Sequence, residues 1–367
     1  MNILYVANIR MPTEKAHGIQ IMKACEAFAY SQDIELVVPN RKSHIKEDPF
    51  TYYGIKKRFK IKRLFTIDTV GWGVLGYAFQ SVMFGIVASI YTKRKKPDVV
   101  YGRDEIVLVI ISFLTRNKIV WESHDGAWNL WARYLARRAK GMVVVTKGAI
   151  DFYKQNGVPE KRILAVSNGI DLNDFANPES KQEARVRLGL PQNEKIALYI
   201  GKLDGWKGVE TLLEASLLLS DVKVVIIGGE EMQVDELSKK YPNVTFLGYK
   251  NYIDLPDNQA AGDVLVVPNT GKSDVSTHFT SPLKLIAHLA SNRPVVVSDL
   301  PSTRWVADGA ALFVIPDDPK ALAEGINNAL NDQLLVSKLL QNTPKLVKNL
   351  SWSVRSRRVL NFLEENL

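Results

Sequence analysis

A helix start with the chemistry of an anion-binding site stands near residue 281. Ser281 and Pro282 suit an N-cap and a first helical residue, because serine accepts a bond from an orphan amide and proline has no amide. Asn292 suits the end of the same helix. The free N–H groups at such a start, with Lys284 one turn further on, would stabilise a phosphate. The run predicts a phosphate-binding helix N-terminus, with an ordinary capped helix as the alternative.

A glycine- and lysine-rich loop offers a second place for a phosphate. Gly201 follows an apolar strand, Lys202 and Lys207 lie five residues apart, and Gly208 closes the loop. Glycines let the backbone approach a ligand closely, and two ammonium groups can close on a diphosphate as point charges. Taken alone, the same pattern is also typical of a surface turn.

Both loops need a scaffold, and the apolar periodicity predicts one. Strand-like runs alternate with amphipathic helical stretches such as 209–219 and 319–330, which indicates parallel sheets with helices on both faces. Ligands of such sheets bind at the carboxyl ends of the strands. The sequence therefore predicts two Rossmann-like α/β domains with a cleft between them. The predicted strands are 3–7, 34–38, 98–101, 118–122, 142–146 and 163–166 in the first half, and 195–200, 222–227, 243–247, 263–267, 294–298 and 311–315 in the second.

The motifs of the second half resemble those of a known enzyme family. The run S-P-L-K-L-I-A-H-L-A-S-N-R-P-V-V-V at 281–297 is similar to the donor-site helix of retaining nucleotide-sugar glycosyltransferases of family 4, which often reads S-P-L-K-L-F-E-Y-L-A-x-G-x-P-V-V. The loop 201–208 is similar to the family's G-R-L-x-x-x-K-G loop, with Lys202 in place of the arginine. The resemblance implies the GT-B fold, in which two Rossmann-like domains with parallel sheets face each other across a cleft. It also implies a nucleoside-diphosphate sugar as donor, transfer with retention, and neither a metal ion nor another cofactor in the site.

Two glutamates of the family are absent from this chain. The one that binds the donor's ribose aligns with Ala287, and the one eight positions earlier aligns with Phe279. A carboxylate can accept hydrogen bonds from ribose hydroxyls, whereas alanine cannot. We therefore expect weakened catalysis at position 287. The alanine is either an engineered Glu→Ala change that disables the donor site or the native residue of a divergent branch.

The resemblance assigns donor-binding roles to residues in several loops. It places the diphosphate at Gly18 in the loop after the first strand and at Lys202, Lys207, Ser281, Pro282, Leu283 and Lys284. It places the nucleobase and sugar side at two strand-end turns, with Gly229, Glu230, Gly248 and Tyr249.

The first half supplies the acceptor side of the predicted enzyme. His124, in the run Glu122–Asp125, matches the family histidine that faces the donor sugar and is predicted to be catalytic, with a structural His–Asp pair as the alternative. Lys15 and His17 are predicted on the acceptor side, with solvation as the alternative. The run 168–175 (N-G-I-D-L-N-D-F) matches the family's N-G-V-D-x-x-x-F hinge pattern.

Domain boundaries follow from the same assignment. Residues 1–172 are predicted to form the acceptor-side domain, which the C-terminal helix 352–367 joins, and residues 176–350 the nucleotide-sugar-binding domain. The polar stretch 173–180 is the predicted linker.

Composition is that of a large globular protein. The 367 residues are 46% apolar and 24% charged, and the length favours two domains with a core each. The single cysteine, Cys25, excludes a disulfide framework and indicates a reducing compartment. The first seven residues have the pattern of a buried strand and not of a signal peptide, so a cytoplasmic location is predicted.

Charge and hydropathy of the first half indicate a membrane surface. Residues 1–175 hold 27 Lys and Arg against 16 Asp and Glu, and the stretch 41–63 alone holds nine cations interleaved with aromatic residues. An uncharged stretch, 69–92, follows; its glycines and polar residues favour a buried or interfacial helix over a transmembrane span. We expect peripheral docking on anionic lipid at the inner face of the cell membrane, with a plain solvated loop as the alternative. No nucleic-acid-binding motif is present, and nucleic acid is not a predicted partner.

Together these observations predict a hexosyltransferase-type enzyme of cell-envelope polysaccharide synthesis. It would move a sugar from a UDP- or GDP-linked donor to a glycan or lipid-linked acceptor with retention. Two alternatives stay open: a non-catalytic sugar-nucleotide-binding protein, which Ala287 favours, and a non-hydrolysing sugar-nucleotide epimerase, which shares the fold. A nicotinamide-dependent dehydrogenase is excluded because the first strand–helix turns lack a G-x-G-x-x-G run.

Overall fold

A computed structural model describes residues 1–203 and 205–367 and divides the chain into two compact units. The first unit comprises Met1–Val166 with Trp352–Leu367, and the second comprises Ser167–Ser351. The division falls a few residues before the predicted boundary at 172. The stretch 173–180, predicted as the linker, lies inside the second unit, where Leu172–Phe175 form a 3₁₀ turn.

The first unit contains a seven-stranded parallel sheet. Its strands are β1 (Asn2–Val6), β2 (Asp33–Pro39), β3 (Lys60–Leu64), β4 (Val99–Gly102), β5 (Ile119–Ser123), β6 (Gly141–Val144) and β7 (Ile163–Ala165). Its helices up to residue 155 are α1 (Ala16–Ala29), α2 (Pro49–Tyr52), α3 (Gly73–Lys95), α4 (Glu105–Leu114), α5 (Leu130–Arg138) and α6 (Lys147–Gln155). The strand order is β3-β2-β1-β4-β5-β6-β7, so the order reverses between β1 and β4.

The second unit contains a six-stranded parallel sheet. Its strands are β8 (Lys195–Ile200), β9 (Val222–Ile227), β10 (Thr245–Phe246), β11 (Val264–Val267), β12 (Val295–Ser298) and β13 (Leu312–Val314). Its helices are α7 (Lys181–Leu188), α8 (Val209–Ser216), α9 (Glu231–Lys240), α10 (Leu255–Ala260), α11 (Leu283–Ala290), α12 (Pro301–Ala307), α13 (Pro319–Asn331) and α14 (Gln333–Asn349). The strand order is β10-β9-β8-β11-β12-β13, with the reversal between β8 and β11.

The last helix, α15 (Trp352–Asn366), returns to the first unit. Trp352 packs against Ala24 and Ala27 of α1 in a small buried cluster. Cys25 of the same helix is fully buried, and burial raises the pKa of its thiol well above the usual range. The thiol is therefore a packed apolar group.

The prediction of two Rossmann-like domains with parallel sheets is confirmed, because every strand pair is parallel and each predicted strand overlaps an observed one. Side chains of the second sheet alternate between two buried apolar clusters, one on each face. Ile196 and Leu198 of β8 belong to one cluster, while Ala197 and Tyr199 belong to the other. Helices therefore cover both faces of this sheet.

One strand was missed by the sequence analysis. No strand was predicted in the basic stretch 41–63, which was expected to dock on anionic lipid, with a plain solvated loop as the alternative. The end of this stretch lies in β3, which pairs with β2 along its whole length, with Lys60 opposite Glu35 and Leu64 opposite Pro39. An edge strand exposes most of its side chains, so K-I-K-R-L shows no apolar run. Lys60, Lys62 and Arg63 of this strand are exposed, and Leu64 is buried.

Candidate functional site

Three glycine turns meet at the carboxyl edge of the second sheet. The amide of Gly228 donates a hydrogen bond to the carbonyl of Gly248 (2.8 Å), and the amide of Gly201 donates to the carbonyl of Ile227 (2.9 Å). A Cβ on Gly228 would lie 2.0 Å from the carbonyl oxygen of Gly201, so these two turns can touch only because position 228 lacks a side chain. The loops after β8, β9 and β10, which were predicted separately, thus form one backbone surface.

Lys284 of α11 reaches this surface. Its Nζ donates a hydrogen bond to the Tyr199 hydroxyl (2.7 Å) and lies 4.0 Å from the centroid of the Tyr199 ring. The Tyr199 hydroxyl in turn donates to the carbonyl of Lys202 (2.5 Å). A Cβ on Gly201 would lie 2.8 Å from the same Nζ. The structure therefore brings together two motifs that are 80 residues apart, the glycine–lysine loop and the helix start. Tyr199, which links them, was not predicted from the sequence.

The start of α11 differs from the prediction. Pro282 is the N-cap residue and Leu283 the first helical residue, and the Ser281 side chain caps nothing. The buried Ser281 hydroxyl instead accepts a hydrogen bond from the backbone amide of Asn168 (3.1 Å). The backbone carbonyl of Ser281 accepts a second one from the Asn168 side chain (2.9 Å). The predicted cap is wrong because this hydroxyl is engaged by the hinge motif. The first amides of α11 still have no side-chain cap.

In the sequence, Lys202 precedes and Lys207 follows Asp204, which is outside the described residues. Lys202 is exposed, and Lys207 is half-buried with its Nζ 3.4 Å from the centroid of the Trp206 ring. Gly208 then passes close to the loop after β11, because a Cβ there would lie 1.8 Å from the carbonyl oxygen of Pro268. The loop after β8 is thus tied at one end to Tyr199 and at the other to the strand across the reversal point, where ligands of such sheets bind.

Ala287 and Phe279 occupy the positions of the two missing glutamates. Ala287 is buried in the apolar cluster that includes Leu285 and Leu289, and its side chain is 1% exposed. Phe279 is half-buried at the end of a π-helical turn, Val275–Phe279. Such turns are frequent at functional sites. Ala287 therefore has apolar surroundings at a position where the resemblance implies a carboxylate.

The predicted nucleobase side surrounds the same glycine turns. Gly229 allows the close approach of Leu203, whose Cδ1 would lie 2.4 Å from a Cβ at that position. Glu230 is exposed at the start of α9, and Tyr249 is exposed directly after Gly248. All four predicted residues therefore lie in or next to the glycine turns that follow β9 and β10.

A buried charged network lies at the carboxyl edge of the first sheet. The Glu122 side chain is fully buried at the end of β5, and its Oε1 lies 2.8 Å from Arg103 Nη2 and 3.0 Å from Arg355 Nη2. Tyr101 donates to its other oxygen. Burial opposes ionisation of this carboxyl group, yet the two guanidinium groups hold the pKa of Glu122 well below its usual range. The carboxylate is therefore ionised and fully paired.

The two predicted histidines lie around Arg103. His124 donates from Nε2 to Glu122 (2.5 Å), and burial together with the charge of Arg103 lowers the pKa of His124 to about 4. Burial and the same guanidinium lower the pKa of His17 to about 4. Both rings are therefore neutral near pH 7, and each can accept a proton from, or hydrogen-bond to, a hydroxyl group. The structure brings these two predicted residues to one arginine, whereas the predicted Lys15 stays exposed at the start of α1.

Gly18 packs closely against Tyr53 and Thr13. A Cβ at this position would lie 2.2 Å from the hydroxyl oxygen of Tyr53 and 2.7 Å from Thr13, so protein atoms fill the space beside it. The Tyr53 hydroxyl holds the loop by accepting from the amide of Thr13 (2.8 Å) and donating to its carbonyl (2.6 Å). This packing requires a glycine at position 18, and the contact with a diphosphate stays a prediction.

Arg103, Glu122, Arg355 and Glu105 were not identified from the sequence. Arg103 directly follows β4 and Glu105 begins α4, so a charged residue after a buried strand was a usable signal. Burial and the neighbouring Asp125 raise the pKa of Glu105 to about 7, which makes it a further acid–base candidate. No sequence pattern near Arg355 indicated its role, because its partner Glu122 lies more than 200 residues away.

Comparisons with known proteins agree with this architecture. Residues 194–332 match the family model described as "Glycosyl transferases group 1". A protein of Bacillus subtilis named "Putative teichuronic acid biosynthesis glycosyltransferase TuaC" is 23% identical over 342 residues, 86% of this chain and 82% of that protein.

Solved structures show the same fold. Alr3699/HepE of Anabaena, crystallised with UDP-glucose, superposes with a TM-score of 0.79 at 16% identity and full coverage of both chains. A sucrose-phosphate synthase of Thermosynechococcus elongatus has a TM-score of 0.78 at 17% identity, covering 100% of this chain and 99% of that one. The predicted GT-B fold and the resemblance to group 1 glycosyltransferases are confirmed.

Proposed function

We propose that the chain, whose residues 194–332 match the family model of group 1 glycosyltransferases, transfers a sugar from a nucleoside-diphosphate sugar, UDP- or GDP-linked, to a glycan or lipid-linked acceptor with retention. The observation that carries the proposal is the convergence of Lys284, Tyr199 and the glycine turns at the carboxyl edge of the second sheet. Support for the donor class comes from a relative in fold, the Anabaena protein crystallised with UDP-glucose. Support for an envelope acceptor comes from the name of the Bacillus relative.

In the proposed mechanism the second unit stabilises the leaving diphosphate. The ammonium groups of Lys202, Lys207 and Lys284 and the first amides of α11 supply positive charge where negative charge develops during cleavage of the glycosidic bond. This arrangement takes the role that a divalent cation has in other transferases, and the proposed reaction needs no metal ion or other cofactor.

The first unit supplies the acceptor side in this proposal. Neutral His124 and His17 can orient an acceptor hydroxyl, and Glu122 keeps the His124 ring in the tautomer that has its proton on Nε2. We place the enzyme in the cytoplasm, peripheral at the inner face of the cell membrane, where nucleotide sugars and lipid-linked acceptors meet.

The donor proposal is tested by ligand binding. UDP, GDP and their glucose conjugates should be screened by thermal shift, since a ligand that binds only the folded state raises the Tm. Lys202→Ala and Lys207→Ala should each weaken binding of the best nucleotide by about 1.5–3 kcal/mol, the contribution of a charged hydrogen bond. Lys240→Ala is the matched control, because Lys240 also lies over an aromatic ring, that of Tyr241, but at the far end of α9. Unchanged calorimetric affinity in both loop variants would contradict the assignment.

The alternatives differ in the products they leave. A transferase converts donor and acceptor to a glycoside and free nucleotide, an epimerase yields an isomeric nucleotide sugar, and a non-catalytic protein binds without turnover. Ala287 is the observation that favours a non-catalytic protein. Chromatography of the nucleotide products after incubation with the bound donor separates the three.

A further inference from the structure

Helix α3 of the first unit buries several polar and small residues together with Phe84, and it exposes most of its other large apolar residues. Its buried positions include Gln80, Ser81, Ser89, Thr92 and two glycines. Its exposed positions form one stripe at helical spacing that begins with Leu75, which is 84% exposed. We call the exposed set the α3 apolar face: Trp72, Val74, Leu75, Phe79, Val82, Ile86 and Ile90. This polarity is the reverse of that of a surface helix that faces only water.

The helix is fastened to the unit along its length. Tyr77 donates to Asp104 (2.7 Å) near one end, and Tyr91 donates to Glu35 (2.6 Å) near the other. In between, Gly85 packs on α4, where a Cβ would lie 2.9 Å from Ile110. The segment Val70–Lys95 has the length and mean hydropathy (1.6) of a membrane-spanning helix. Because the helix is held against the first unit at both ends and in the middle, its apolar face is placed to lie on a membrane and not to cross it.

Cations continue the apolar stripe at the end of α3. A shallow groove of about 550 Å³ is lined by Lys93, Lys96 and Arg116 together with Phe113 and Leu114. Phe113 is 68% exposed, so apolar side chains and cations share the same groove. Long basic side chains beside exposed apolar ones suit the boundary between lipid headgroups and acyl chains.

The charge of the whole unit argues for an anionic partner. The first unit carries 30 Lys and Arg against 16 Asp and Glu, a net +14, whereas the second unit carries 18 against 23, a net −5. Two copies of the first unit would repel each other across a shared face, and an anionic bilayer would attract it.

We propose that the α3 apolar face docks the first unit on an anionic lipid bilayer, with α3 in the plane of the interface and Lys93, Lys96 and Arg116 at the headgroups. The helix begins beside Asp104, which directly follows Arg103 at the carboxyl edge of the first sheet. Docking would therefore hold this edge next to the lipid surface, within reach of an acceptor anchored there.

The experiment uses the full chain and vesicles of phosphatidylcholine, alone or with phosphatidylglycerol, in a flotation assay. We expect binding that needs the anionic lipid and weakens with salt. The double variant Leu75→Glu/Phe79→Glu should lose at least about tenfold in the bound-to-free ratio, because burial of even one large apolar side chain contributes that much. Met232→Glu/Leu334→Glu is the matched control, since both side chains are more than 80% exposed in the second unit.

Three outcomes would overturn the proposal: no binding to either vesicle, equal binding to both, or equal losses in the α3 variant and its control. Sedimentation velocity of the same samples tests the second copy as occupant. A dimer that the α3 variant dissociates, without vesicle binding, would assign the face to self-association. Thermal shift with nucleotide should be the same in wild type and variant, which keeps this result separate from the test of donor binding.

Discussion

The Nζ of Lys284 lies 2.7 Å from the hydroxyl oxygen of Tyr199, above the ring of the same residue. This contact joins the start of α11 to the end of β8. Because the Tyr199 hydroxyl also donates to the carbonyl of Lys202, consecutive hydrogen bonds connect the ammonium group to the glycine–lysine loop. A phosphate that met Lys284 would therefore also meet the amides of the Gly201 loop.

Removal of this ammonium group should weaken nucleotide binding more than removal of its partner. We expect Lys284→Ala to reduce the affinity for the bound nucleoside diphosphate by about 1.5–3 kcal/mol, and Tyr199→Phe by about 1 kcal/mol, the net value of a neutral hydrogen bond. Titration calorimetry measures both. The control is Lys320→Ala, an exposed lysine on α13. Equal affinities of Lys284→Ala and wild type would remove Lys284 from the site.

Gly208 should tolerate no side chain, whereas Gly205 in the same loop should. Both have positive φ, which costs about 1–2 kcal/mol for a residue with a Cβ. Only at Gly208 would the new Cβ lie 1.8 Å from a carbonyl oxygen, while at Gly205 nothing lies within 4 Å. In calorimetry, the decrease in Tm should be several times larger for Gly208→Ala than for Gly205→Ala. Similar shifts would show that the contact with Pro268 is not tight.

Arg355 should anchor the last helix to the first unit. Removal of one partner of a buried ion pair leaves an uncompensated charge and costs about 3–5 kcal/mol. We therefore expect Arg355→Met to destabilise the protein by that amount in denaturant unfolding. Arg358→Met, on the exposed side of α15, should stay within about 0.5 kcal/mol of wild type. A small effect of Arg355→Met would mean that Glu122 is sufficiently paired by Arg103.

Acid should destabilise the second unit through His288. Burial and the charge of Lys284 lower the pKa of this fully buried histidine to about 3, against an ordinary value of 6.5. Between these two pH values the unfolded state binds more protons than the folded state. The contribution of neutral His288 to stability is therefore complete above pH 6.5 and is lost progressively as the pH falls toward 3. From pH 7.5 to pH 5 the free energy of unfolding should decrease in both proteins. The decrease should be about 2 kcal/mol smaller in His288→Gln than in wild type. An identical pH dependence would show that this histidine is protonated at no cost.

The Ala287→Glu change should raise the transfer rate and lower the stability of the free protein. In the free protein its carboxylate would enter apolar surroundings, which lowers the Tm. If the position faces the ribose, Ala287→Glu should raise the transfer rate more than tenfold, and donor should recover part of the lost Tm. Ala307→Glu, in the same buried cluster, is the control that donor should not rescue. Unchanged donor affinity and turnover would make Ala287 the native residue of a divergent branch.

Local patterns determined much of the fold. Strand periodicity, the glycine turns and the stop at Asn292 depend on residues within a few positions of each other, so they could be predicted from the chain alone. Asn292 does adopt the left-handed conformation that ends α11. The same locality explains the error at Ser281, whose hydroxyl has the type of a cap but meets Asn168 from a distant segment.

Tertiary structure decided which groups meet and which face is exposed. Glu122 and Arg355 are paired only because α15 returns to the first unit, and no spacing in the sequence encodes that return. Gly18 is explained by Tyr53, and β3 by its place at the edge of the sheet. The uncharged composition of 69–92 was visible in the sequence, but only the packing of α3 on α4 showed that Leu75 and Phe79 point outward while Gln80 is buried. Burial depends on contacts between distant segments, and for that reason it could not be deduced from composition.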